Sequence, residues 1–134
     1  MANQELIKNI PFSESCVLAD LIDYQKGRVV SRTFVENNAL SLALFAFDQG
    51  EGLSTHTTSG DAMVQVVDGR AGLTIGGKEV VVKAGEIVVM PADVPHSVNA
   101  VEPFKMLLTV VKKGMDRGRK CLPFSSNGPF KKAA

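Results

Sequence analysis

Two histidines, His56 and His96, are the residues whose type and placement carry the most chemistry in this chain, and it has no others. Imidazole gains or loses a proton near neutral pH and is the commonest ligand of divalent transition metals. About forty residues separate the pair, and each stands where a turn-rich stretch meets a β-branched apolar run. Four such runs lie between them. If those runs close into one small barrel, both rings face a single interior at about 3–5 Å, the separation of atoms sharing one ion. No Ser-His-Asp arrangement, phosphate-binding loop or pair of catalytic carboxylates can be assembled from the sequence. Met63, Met90 and Met106 read as core filler, since thioether sulfur favours soft Cu(I) and no methionine cluster exists.

The elements that must position the histidines are strands. Cys16–Tyr24 and Arg28–Glu36 are expected as strands around a turn at Gly27, followed by Ala39–Phe47 after Asn37-Asn38. In that third run Leu40, Leu42, Leu44 and Ala46 share one face, and Ser41, Ala43, Phe45 and Phe47 share the other. Both faces therefore read as buried. Asp48–Ser54 is expected as a glycine-rich loop. Strands follow at Asp61–Val67, Ala71–Ile75, Glu79–Lys83, Glu86–Met90, Ser97–Ala100 and Phe104–Val111. Turn chemistry separates them: Asp68-Gly69, the hairpin pair Gly76-Gly77, Ala84-Gly85, then Pro91 and Pro95. Asp93-Val94-Pro95 shapes the loop that presents His96, and Lys78 and Glu79 are solvated hairpin charges. Only Glu5–Asn9 suggests a helical turn. Strands at this spacing without helical periodicity predict an all-β sandwich or barrel.

At 134 residues, 45% apolar and 22% charged, the chain suits one domain with a core of its own. We divide it into an N-terminal segment, 1–15, a barrel, 16–112, and a basic C-terminal tail or arm, 113–134. From Lys112 onward seven Lys/Arg face one acid, so that stretch carries +6 and the rest −5, against a total of +1. The body has no basic bias, which argues against a nucleic-acid partner. Leu122, Phe124 and Phe130 are isolated apolar anchors in the basic stretch, tilting it towards an arm laid on its own or a neighbouring barrel. Cys16 and Cys121 have no metal spacing and read as reduced thiols. The N-terminus has no signal-like apolar region, and the longest apolar run, Ala39 to Phe47, is too short to cross a bilayer. The expectation is a cytoplasmic protein with no membrane partner.

The stretch from Gly50 to Asn99 resembles the two motifs of a small single-domain cupin, G-x5-H-x-H-x3-E-x6-G and G-x5-P-x-G-x2-H-x3-N. Gly50, His56 and Gly69 fall in register with the first, and Gly85, Pro91 and His96 with the second. The resemblance, covering roughly Val29 to Lys112, implies a double-stranded β-helix, the cupin jelly-roll barrel. It departs from the family on the ligands. The second histidine of the first motif is Thr58 and the glutamate is Ala62. In the second motif the last glycine is Asp93, and asparagine arrives one residue early as Asn99.

The resemblance implies a metal site at His56 and His96 with part of its ligand set gone. A divalent transition metal (Zn, Ni, Fe or Mn) is expected to bind weakly or partly. Asp61 is the nearest carboxylate, one residue out of phase, and only a bulge near Ser59-Gly60 would turn it inward. Three readings stand open: a weak metal completed by water or substrate; a metal-free cavity whose imidazoles bind or move protons on a small molecule; or a lapsed site. The wall of the cavity is assigned to Thr58, Ala62, Val64, Val66, Val98 and Leu108. If the protein is an enzyme, a proton-transfer or metal-assisted reaction on a small organic acid or carbonyl compound is the natural class. The competing class is a non-catalytic ligand-binding or sensing module. A homodimer is expected, because the doubly apolar early strands, Val29–Phe47, need cover that one thin barrel does not supply.

Overall fold

Apolar residues on both faces of Leu40–Phe47 require cover from two sides, and the architecture follows from how the chain supplies it. The computed structural model describes residues 6–113. Its strands are β1 (Val29–Glu36), β2 (Leu40–Phe47), β3 (Gly52–His56), β4 (Asp61–Asp68), β5 (Arg70–Ile75), β6 (Lys78–Lys83), β7 (Ile87–Met90), β8 (His96–Asn99) and β9 (Phe104–Val111). They form two antiparallel sheets, β1-β2-β9-β4-β7 and β3-β8-β5-β6. This is the all-β cupin barrel.

The space between the sheets is filled by Phe47, Ala62, Val64, Val66, Ala71, Leu73, Val82, Met90, Val98, Ala100, Phe104 and Met106. Alternation explains the set: Ala62, Val64 and Val66 share one face of β4 while Met63, Gln65 and Val67 take the other. Phe47 and Phe104 are fully buried, with ring centroids 4.6 Å apart and planes 9° from parallel. Gly69 closes the β4–β5 turn at φ +74°, where an added Cβ would stand 2.2 Å from the Pro103 carbonyl oxygen.

A second cluster lies on the outer face of the five-stranded sheet. Phe34, Val35, Leu44 and Ala46 are buried there against Ile22, with Ile10, Leu18, Leu21 and Tyr24 packed around them. The expected strand over Cys16–Tyr24 is thus a correction. Residues Leu18–Leu21 form a single 3-10 turn, and the segment's apolar side chains serve as a cover rather than as a paired edge. No helical turn forms over the described part of Glu5–Asn9 either; those residues are bends along β1, where the Lys8 amide donates to the Phe34 carbonyl at 2.9 Å.

Polar latches hold this cover. Arg32 donates from Nε to the Asn9 carbonyl and from a terminal nitrogen to the Leu21 carbonyl, both at 2.8 Å. Lys105 Nζ donates to the Ala19 carbonyl at 2.6 Å and lies 4.9 Å from the centre of the Tyr24 ring. The Tyr24 hydroxyl donates to Asp68. The cover that a second copy was expected to provide for β1 and β2 therefore comes from the chain's own residues 10–24. Among the described residues no helix is long and apolar enough to cross a membrane.

Candidate functional site

His96 opens β8, and β8 alternates: His96 and Val98 face inward and are buried, at 3% and 5% exposed. Val98 pairs with Leu53 on β3, so a regular ladder would place Thr55 opposite His96 and turn His56 outward. The ladder is not regular. Its register shifts between Leu53 and His56, three residues on β3 spanning two on β8, and His56 becomes the partner of His96. One extra residue in the edge strand thus rotates the imidazole onto the inward face, as a β-bulge does. The strand itself is a correction to the loop expected over Asp48–Ser54. Gly52–His56 is largely exposed and lacks apolar alternation, so nothing in its pattern announces a strand.

The result brings the two rings into contact. His56 Nε2 and His96 Nε2 are 3.2 Å apart, with ring centroids at 4.3 Å and planes inclined by 69°. His96 is buried while His56 is exposed, so the pair sits at the mouth of the barrel rather than deep in it. Each ring turns its other nitrogen back on the carbonyl two residues earlier: His56 Nδ1 to Ser54 at 2.8 Å, His96 Nδ1 to Val94 at 3.1 Å. A carbonyl oxygen only accepts, so both Nδ1 atoms carry the proton, and in the neutral rings both Nε2 atoms present bare lone pairs to each other. Two lone pairs at that distance repel unless an electropositive centre, a proton or a metal ion, lies against both.

The loop ahead of His96 is held as firmly. Asp93, in the slot where the second motif has glycine, adopts φ +64°, and its amide donates to the Thr58 carbonyl at 2.7 Å. This bond ties the approach to β8 directly to the segment that leaves β3. The Gly76 amide adds a 2.8 Å bond to the Pro95 carbonyl. The Ser54 and Val94 carbonyls are parts of the candidate site that the sequence does not announce. A residue two before each histidine is visible in sequence, but its carbonyl's direction is not.

The other ligand slots are occupied differently. The Thr58 hydroxyl donates to the Gly60 carbonyl at 2.9 Å, within its own loop. Ala62 is buried between Met90 and Val110 and offers no donor atom. Asp61 stays on the outer side of β4, where its Oδ1 accepts from the Ala92 amide at 2.8 Å; the inward swing that a bulge would have allowed does not occur. Val64, Val66 and Val98 lie in the cluster between the sheets, and Leu108 packs half-buried against it. Among the described residues no group of three or more His, Cys, Asp or Glu converges on one point.

A closed pair of sheets with two motif histidines meeting at its mouth defines a class of barrel, and comparison with known proteins agrees. The family model described as "Cupin domain" matches residues 43–111, and the chain belongs to that family. It is 31% identical over 77 residues to an uncharacterised protein of Streptomyces coelicolor, covering 58% of this chain and 73% of that one. A conserved Streptococcus pyogenes protein of unknown function superposes with a TM-score of 0.81 at 36% identity, covering 84% of this chain and 98% of its own. A cupin superfamily protein from Desulfitobacterium hafniense follows with a TM-score of 0.77, 25% identity, and coverage of 80% and 98%.

Proposed function

We propose that the protein binds a small molecule at the mouth of its barrel, around a divalent transition metal held by His56 and His96. The observation that carries this is the pair of Nε2 atoms 3.2 Å apart with both Nδ1 atoms committed to carbonyls. Imidazole nitrogens bound to one ion at about 2.0–2.1 Å in tetrahedral or octahedral geometry lie about 3 Å apart, so the donor set fits two adjacent ligand positions. The carbonyls of Ser54 and Val94 fix the tautomer such a site needs, as outer partners of metal-binding histidines generally do.

With only two protein ligands, affinity for the ion is weak, and most of its positions remain for water or an oxygen-bearing ligand. A bound ion supplies Lewis acidity to that ligand. The chain's own part is to hold the imidazoles over a closed apolar floor: Ala62, Val64, Val66 and Val98 pack into the core with Leu108 against them, while Thr58 stands in the adjoining loop with its hydroxyl on the Gly60 carbonyl. A small organic acid or carbonyl compound suits such a mouth, polar at the pair and apolar below.

Metal analysis of untagged protein, purified without chelator and then titrated with Co(II) or Zn(II), tests the reading. The expected result is one ion per chain, lost in His56→Ala and in His96→Ala while the fold persists by circular dichroism. Binding that survives both substitutions, or no binding at millimolar metal, overturns it. Protein that takes no metal yet is stabilised by a small carboxylic acid, an effect lost with the same two substitutions, would instead favour proton sharing between the imidazoles.

A further inference from the structure

Resting on the metal reading above, we propose that the ligand of the histidine pair is an aromatic monocarboxylic acid, its ring lying to the side on the inner face of β2 against Phe45. The ligand's body cannot go down. Ala62, Val64, Val66 and Val98 close the space beneath the imidazoles, each at 5% exposed or less. Sideways the sheet is more open. Cross-strand register lays its inward residues out in rows from β4 to β1, since directly opposed residues share a face. At the mouth the row is Ala62, Val110, Ser41 and Glu36; four residues deeper it is Val66, Met106, Phe45 and Ser31. Burial falls along both. Ala62 is buried, Val110 and Ser41 half-buried and Glu36 exposed; Val66 and Met106 are buried, Phe45 half-buried and Ser31 exposed.

Strand count gives the reason. Five strands face four, and the β6–β7 turn joins the sheets on the β7 side, where the Gly85 amide donates to the Val66 carbonyl at 2.8 Å. The surplus strand therefore overhangs at β1, past β3, which carries His56 and the half-buried Leu53. Two further observations give the ligand's chemistry. Phe104, Phe47 and Phe45 form a ladder of rings, with centroids 4.6 and 6.0 Å apart and planes 9° and 28° from parallel. Phe104 and Phe47 are fully buried, so half-buried Phe45 is the end of the ladder, and a flat ring arriving from the mouth extends it by stacking. Lys112 and Lys113, which follow β9 at the mouth, are already engaged by Glu36 and Asp93. Neither is free to take a second carboxylate, so the ligand carries one, and that one goes to the ion.

The test uses the full chain, and cobalt titration comes first. A chain that binds no ion overturns this proposal together with the reading on which it rests. On cobalt-loaded protein, calorimetry is expected to show benzoate binding about tenfold more tightly than acetate. Phe45→Leu, which keeps an apolar side chain, is expected to erase that preference while cobalt affinity and circular dichroism stay those of the natural protein. In the zinc-loaded natural protein, nuclear Overhauser contacts are expected from the benzoate ring to Phe45 and Leu53. Cobalt binding with equal affinity for acetate and benzoate overturns this proposal alone. So does a preference that Phe45→Leu leaves unchanged, a tighter binding of terephthalate than of benzoate, or ring contacts that miss both Phe45 and Leu53.

Discussion

Asp93 holds φ +64° three residues before His96, with its amide on the Thr58 carbonyl. Left-handed backbone costs an ordinary L-residue about 1–2 kcal/mol, less for aspartate, whose short polar side chain tolerates it. Asp93→Gly removes that strain and loses only the exposed contact to Lys113, which is worth little. Its expected effect is within about 1 kcal/mol of neutral, with metal binding kept. Asp93→Val places a β-branched residue in the same conformation; the expected cost is about 1–2 kcal/mol, with a weakened metal response because the loop carrying His96 shifts. Thermal unfolding and cobalt titration of the two variants check both. The histidines themselves were legible, as the only two in the chain, each in a motif slot. Their tautomers were not, because those depend on where the carbonyls of Ser54 and Val94 point, which no residue type encodes.

At the scale of elements, strands with alternating apolar faces were read to within a residue or two, and the two exceptions have opposite causes. Gly52–His56 is an exposed edge strand without alternation, so its pattern resembled a loop. Cys16–Tyr24 has strand-like composition, but Leu18, Leu21, Ile22 and Tyr24 pack on another sheet's face instead of pairing. The β3 bulge is the element that makes the site. Deleting Thr55 removes the extra residue, so a regular ladder then sets His56 opposite His96 without a bulge; metal binding should survive with the barrel's circular dichroism intact, and a loss as full as that of His56→Ala would show that the bulge, and not the cross-strand pairing, sets the pair. The N-terminal cover is latched partly by Tyr24, whose hydroxyl is pushed well above the usual phenol range by burial and then by the hydrogen bond to Asp68. A raised folded-state pKa stabilises fully below the unfolded value of about 10 and is lost as pH climbs towards the folded one. Unfolding of the natural protein is therefore expected to become easier above about pH 10. Tyr24→Phe, losing about 1 kcal/mol at neutral pH, should show a flatter alkaline limb in denaturant titrations.

Across the whole molecule the five-stranded sheet separates two apolar layers with different duties. The inner layer supports the strands that carry the histidines: Leu73, 2% exposed, pairs with Val98, and Ile75 pairs with His96. The outer layer, centred on Ile22, Phe34 and Leu44, shares none of its buried members with the inner one and lies on the far side of the sheet from the pair. Large-to-small substitutions in either layer remove a similar amount of packed surface, so Leu73→Ala and Ile22→Ala are each expected to cost about 2–5 kcal/mol. Their effects on the site should differ. Leu73→Ala leaves a void beneath β8, lets the His96 strand relax, and should weaken cobalt binding beyond what the unfolded fraction explains. Ile22→Ala should lower stability alone, with the affinity of the folded fraction unchanged. Urea titration gives the first quantity and metal titration well below the unfolding midpoint the second. Equal losses of affinity in the two variants would mean that the sheet transmits packing defects from one face to the other, and the site could no longer be treated as a property of the inner layer.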